Sequence, residues 1–182
     1  MVSAVKLPVN TNATALQMAE TMFGKGVTVT SATYSGGAAS KGIFSNGLST
    51  SPGVLSANSG VILSTGNASA FTNASGQANQ QVGTGTDVQG GVDGNARLNA
   101  ISNLNTFDGS ILETTFVPEG SILTMQIMFS SEEYPEYVNQ GFNDAVGIFV
   151  NGQRAELSIG SGDISIDNIN AVGSRPIDFR PL

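Results

Sequence analysis

The stretch Ser110-Ile111-Leu112-Glu113-Thr114-Thr115-Phe116-Val117-Pro118-Glu119-Gly120-Ser121-Ile122-Leu123-Thr124-Met125-Gln126-Ile127-Met128-Phe129 decides the fold class. Its first half sets Ile111, Glu113 and Thr115 against Leu112, Thr114 and Phe116, and its second sets Ile122, Thr124, Gln126 and Met128 against Leu123, Met125, Ile127 and Phe129. A period of two puts alternate side chains on opposite faces, which is the pattern of a strand. Pro118-Glu119-Gly120 supplies a turn between the halves, so the pair is predicted to form a hairpin.

The same logic extends downstream. Residues 145–150, Ala-Val-Gly-Ile-Phe-Val, read as another buried strand, and Asn151-Gly152 after it is a strong two-residue hairpin signal that predicts an antiparallel return over 154–159. Ser161-Gly162-Asp163 turns again, and Ile164 and Ile166 lead into Asn168-Ile169-Asn170. Upstream, Leu16, Ala19 and Phe23 fall at helical spacing and predict a helix over about 13–23, capped by Thr11 or Asn12 and stopped by Gly24 and Gly26. Val27, Val29, Ala32 and Tyr34 then alternate with Thr and Ser as a half-buried strand, and Ile43-Phe44 is a shorter one. The run Gly60-Val61-Ile62-Leu63-Ser64-Thr65-Gly66 reads as a strand buried on both faces at a sheet centre. Residues 67–94 are nearly all small and polar and read as a long surface excursion, with Asp87 and Asp93 its only charges. One or two helical turns are expected near 96–101, with Arg97 outward and Leu98 and Ile101 inward. The expected fold is mostly β, a β-sandwich or jelly-roll-like domain with one N-terminal α-helix. It occupies 12–172 as a single domain, between an N-terminal extension (1–11) and a C-terminal tail (173–182).

Composition narrows the chemistry. The 182 residues carry 7 Lys+Arg against 14 Asp+Glu, a formal charge of -7 that repels phosphate backbones and anionic lipid, so neither nucleic acid nor membrane insertion is expected. With no His and no Cys, the chain lacks the parts for Ser-His-Asp and Cys-His nucleophile systems, Cys/His zinc sites and disulfides, and it reads as a non-enzyme. Four of the 14 acids fall between positions 132 and 144, in Ser130-Ser131-Glu132-Glu133-Tyr134-Pro135-Glu136-Tyr137-Val138-Asn139-Gln140-Gly141-Phe142-Asn143-Asp144. Carboxylates gathered beside apolar strands repel one another unless something cationic or donating compensates. Oxygen ligands without His or Cys select hard cations, and a flexible set of them suits Ca²⁺ better than Mg²⁺. The candidate ligands are Glu132, Glu133, Glu136 and Asp144, with Asn139 and Asn143 offering amide oxygens. The competing reading is a solvated acidic loop in which Asn143 and Asp144 cap turns. Glu132 and Glu133 make a poor glycosidase pair, because neighbours on a strand point to opposite faces.

The segment from Phe129 through Val138, followed by Phe142-Asn143-Asp144-Ala145-Val146-Gly147-Ile148-Phe149, resembles the signature F-x-S-E-E-Y-x-E-[YF]-V…F-N-D-x-F-G-F-F of the choice-of-anchor L domain of bacterial secreted and surface proteins. Gly60-Val61-Ile62-Leu63-Ser64-Thr65-Gly66 is similar to that family's G-I-x-L-S-T-G, and Leu112-Glu113-Thr114-Thr115-Phe116-Val117-Pro118 to its L-E-F-D-F-V-P. The resemblance covers about residues 12–170 and implies an extracellular domain of the bacterial cell surface. The family's closing strands and a sorting signal are not found after residue 170. The expectation is therefore either a short version filled differently or a subunit whose open sheet edge another chain completes. Two functions follow. One is a structural or adhesive module of the surface or matrix, stiffened by Ca²⁺ and partnered by other copies of itself or other surface proteins. The other is a lectin-like module in which Tyr134 and Tyr137 stack on glycans.

Overall fold

The computed structural model describes residues 6–70, 89–131, 133–134, 137–155 and 162–170. Along the chain run β1 (Val9–Asn10), α1 (Ala15–Met22), β2 (Val27–Ser35), β3 (Lys41–Phe44), α2 (Gly47–Thr50), β4 (Gly60–Leu63), a 3-10 turn (Ala68–Ala70), α3 (Ala96–Ser102), β5 (Ile111–Pro118), β6 (Ala145–Val146), β7 (Phe149–Val150), β8 (Gln153–Arg154) and β9 (Ile164–Ser165). Every strand pairing among the described residues is antiparallel and helices are few there, so the chain is mostly β in several small sheets, in keeping with a sandwich-like architecture. It falls into two compact units: Met1–Asp93 with Phe107–Met128, and Gly94–Thr106 with Phe129–Leu182.

In the first unit α1 begins two residues later than expected, and neither Thr11 nor Asn12 caps it. Thr14 does: its hydroxyl accepts the Gln17 N–H at 3.2 Å while the Gln17 side chain accepts the Thr14 N–H at 2.9 Å. This reciprocal pair satisfies two of the orphan donors of a helix start, which a lone hydroxyl further upstream does not. The helix ends at Phe23, which is extended, and the left-handed backbone falls at Gly26 (φ 94°). The face it buries centres on Met18 and Ala19, both fully buried, whereas Leu16 is 42% exposed. α1 lies against β2 and β5 and also against β3 and β4, so one helix ties the two sheets of this unit together. Phe23 stacks on Phe116 of β5 at 4.7 Å between ring centroids.

β5 is a strand, as its alternation requires, but its partner is β2, in register from Val27↔Pro118 to Ser35↔Ile111. The expected hairpin with 122–129 does not form, and residues 121–130 carry no strand and leave Ile122 84% exposed. After Pro118 the Glu119 N–H donates to the Gly26 carbonyl at 2.8 Å, so the chain stays attached to the start of β2 instead of folding back on itself. β2 carries a bulge between Val29 and Ser31, where the Thr30 hydroxyl donates to the Thr115 carbonyl. This shifts the inward set from Val27 and Val29 to Ala32 and Tyr34.

The other sheet has the order β1-β3-β4, which makes β3 the middle strand. Among the described strands β4 therefore lies at an edge of this sheet, and it is half-buried instead of covered on both faces as its apolar run suggested. Beneath this sheet Leu7, Phe44 and Leu55 form a small core with Val9. Lys41 spans the chain entry: its ammonium donates to the Thr11 and Ala13 carbonyls and sits 5.5 Å from the Tyr34 ring centroid.

In the second unit α3 starts at Asn95, whose side chain accepts the Arg97 and Leu98 N–H groups, and stops at Asn103 in the left-handed region. Ile101 is buried and Arg97 is exposed, as expected, with the Arg97 guanidinium 5.0 Å from the Phe149 ring centroid. The run 145–150 is not one buried strand. It breaks at Gly147-Ile148 into β6, which pairs with β9, and β7, which pairs with β8. Gly147 passes so close to Ile101 and Phe149 that a Cβ there would overlap both, and the chain changes partners across that contact. Asn151 (φ 51°) and Gly152 (φ 79°) form the expected two-residue turn between β7 and β8. The rest of the predicted return (156–159), most of the excursion 67–94 and the tail lie outside the described residues.

Candidate functional site

The acidic segment leads into β6 within the second unit, and three elements meet around it. α3 ends with the buried Ser102, whose carbonyl accepts the Asn143 Nδ2–H at 2.9 Å. The turn after β9 places Asp167 so that its N–H donates to Asn143 Oδ1 at 2.9 Å and its carboxylate accepts the Asn139 N–H at 2.6 Å. Asn143 thus uses both ends of its amide to join segments 41 and 24 residues away in sequence. Asn139 lies in the left-handed region (φ 59°), the conformation that aims its N–H at Asp167.

Asp144 accepts a hydrogen bond from the Ser131 hydroxyl at 2.7 Å, and its backbone carbonyl accepts the Ile166 N–H at 3.1 Å. The same Ser131 hydroxyl accepts the Glu133 N–H. Tyr134 donates its hydroxyl to the Ile169 carbonyl and packs edge-to-face on Phe129, while Tyr137 packs edge-to-face on Phe142. Burial pushes the Tyr134 phenol above its ordinary value, and the negative charges of Asp144 and Asp167 push it further in the same direction. Two carboxylates from positions 23 apart in sequence therefore act on one phenol.

Beside this knot an open groove of about 370 Å³ is lined by Ser102, Asn143, Asp163, Ser165, Asp167 and Asn168 among others. It is polar and acidic on one wall, where Asp163 pairs with the half-exposed Arg154. Of the six residues singled out as ligands, Glu133, Asn139, Asn143 and Asp144 are described, whereas Glu132 and Glu136 lie outside the described residues. The structure links Asn143 to Asn139 through Asp167, and links Asp144 to the Glu133 N–H through the Ser131 hydroxyl. Among the described residues no three acidic side chains gather closely enough to enclose an ion. Asp93 is used locally, accepting the Asp108 N–H, and Asp87 lies outside the described residues.

Asp167, Ser102 and Ser131 are participants that the sequence did not announce. An Asp-Asn pair just after a short strand is a turn signal, but nothing local connects position 167 with position 143. Among the described residues no helix is long and apolar enough to cross a membrane. Neither the curated proteins nor the solved structures contain a match to this chain. The family model of the choice-of-anchor L domain matches residues 6–176, nearly the whole chain, so the protein belongs to that family, a surface-associated module of bacterial proteins.

Proposed function

We propose that this domain is a non-catalytic structural or adhesive module of the bacterial surface or extracellular matrix, that Ca²⁺ stabilises its acidic segment, and that it associates with other copies of itself or with other surface proteins. The observation that carries this reading is the use made of the acidic segment's polar groups. Asn143, Asp144 and Asp167 spend their hydrogen bonds holding three chain segments together around a groove. That is the work of a scaffold. A cation adds to it by taking oxygen ligands from this segment, with Asp144, Glu133 and its sequence neighbours Glu132 and Glu136 as the donors. Association draws on sheets only two or three strands wide, which present strand edges among the described residues. The aromatic rings that a sugar-stacking reading would use are engaged with Phe129 and Phe142, which favours the scaffold.

Thermal unfolding in millimolar Ca²⁺ and in chelator tests the calcium claim. With a Kd of about 10 µM and about 1 mM free ion, the folded state gains about 2.7 kcal/mol. For a chain of this size that is about 5–10 °C of midpoint. The shift is expected to shrink in Asp144→Asn and to be absent with Mg²⁺ at equal concentration. Equal midpoints in Ca²⁺ and chelator would remove calcium from the proposal and leave the hydrogen-bonded scaffold alone.

A further inference from the structure

We propose that Asn151 is a site of spontaneous succinimide-forming deamidation, and that the second Asn-Gly pair of the chain, Asn46-Gly47, is protected by its packing. In this chemistry the backbone nitrogen of the following residue attacks the asparagine side-chain carbon. At position 151 a bond forms between Gly152 N and Asn151 Cγ, the Cγ–Nδ2 bond breaks, and the amide leaves as ammonia, carrying away the proton that Gly152 N gives up. Water then opens the five-membered ring. Attack at Cγ yields aspartate, and attack at the main-chain carbonyl yields isoaspartate, in which the backbone runs through the side chain. No oxidant, metal or enzyme is needed, only water, a deprotonatable N–H and room to reach the attack geometry.

Both asparagines are exposed and left-handed, Asn46 at φ 57° and Asn151 at φ 51°, and the two pairs differ at the glycine. Asn151 and Gly152 are both exposed, and the space where a Gly152 Cβ would stand is empty. The Gly152 N–H has no hydrogen-bond acceptor among the described residues. Among the described residues the turn is closed by the short pairing of Phe149–Val150 with Gln153–Arg154 and by the Ala155 N–H donating to the Ile148 carbonyl at 2.8 Å, and the turn residues themselves pack against nothing. At the other pair Gly47 is buried, its N–H donates to the Asn58 carbonyl at 3.0 Å, and a Cβ built on it would meet Phe44 and Leu55 of the core cluster. Reaching the cyclic intermediate there requires opening that core. Isoaspartate at 151 lengthens the main chain by one carbon inside a two-residue turn, so the product hairpin cannot keep the Val150↔Gln153 register.

The experiment is incubation of the full chain in mildly alkaline buffer, followed by peptide mapping by mass spectrometry with an isoaspartate-specific methylation assay, using Asn151→Asp as the standard for the aspartate product. Asn151 is expected to convert at least about tenfold faster than Asn46, since reaction through a local opening scales with how often that opening occurs. The main product should be isoaspartate, and Asn151→Gln, which would need a larger ring, should stay unchanged over the same period. An Asn151 that survives intact while a short peptide of the same local sequence converts would overturn the inference. So would conversion of Asn46 at the same rate as Asn151.

Discussion

Replacing Asn143 with alanine isolates the contribution of the knot around the acidic segment. The change removes the donor to the Ser102 carbonyl and the acceptor of the Asp167 N–H in one step. Ser102 is only 2% exposed, so its carbonyl gains little water in compensation. A lost hydrogen bond costs about 0.5–1.5 kcal/mol and a buried polar group left unpaired about 1–3 kcal/mol, which together place the expected loss at about 2–4 kcal/mol. For a chain of this length the midpoint should fall by about 5–15 °C. Amide exchange read on peptides covering 137–146 and 162–170 localises the effect: protection should drop there and be retained in β2 and β5. Asn143→Asp keeps an acceptor for the Asp167 N–H but turns a carboxylate oxygen toward the Ser102 carbonyl, so it should be at least as destabilising as alanine. A loss below about 0.5 kcal/mol for Asn143→Ala, the range of an ordinary surface substitution, would refute the view that this amide joins three segments.

Two further outcomes are expected. Met18→Ala should cost about 2–5 kcal/mol by leaving a cavity under α1, while Leu16→Ala should stay within about 1 kcal/mol, a contrast that urea unfolding measures directly. Burial raises the phenols of both Tyr34 and Tyr134 above the ordinary 10.0, opposed at Tyr34 by the hydrogen bond with Ser110 and reinforced at Tyr134 by Asp144 and Asp167. The unfolded chain therefore releases these protons first. Their contribution is fully present below pH about 10 and is lost as pH rises through the higher folded-state values. A phenolate absorbance titration should show alkaline unfolding that is delayed in Tyr134→Phe.

What could be read from the residues depended on whether the signal was local. The Asn151-Gly152 turn was legible because both positions need positive φ and few residue pairs satisfy that. β2 and β5 were legible as strands from their alternation, yet their pairing was not, because a period of two says which face a side chain takes and nothing about which strand lies alongside. The Glu119–Gly26 hydrogen bond that decided it joins residues 93 apart. The helix was legible and its first residue was not, since Thr11, Asn12 and Thr14 are all competent caps and only Thr14 has a glutamine three residues on. At the acidic segment the residue types were plain. The partners of Asn143 and Asp144, which are Ser102, Ser131 and Asp167, carry no motif of their own and become visible only when the chain is folded.

The bulge in β2 also bears on how relatives of this domain are compared. Inward side chains fall on odd positions before Thr30 and on even positions after it, while the partner strand passes from Phe116 to Thr115 without interruption. Thr30 is therefore the one residue of the strand with no counterpart across the sheet. In an alignment of strands of this kind, a gap belongs at that position: placed there it leaves the inward set on both sides unchanged, and placed even one residue beyond Ser31 it would assign an outward side chain to the core.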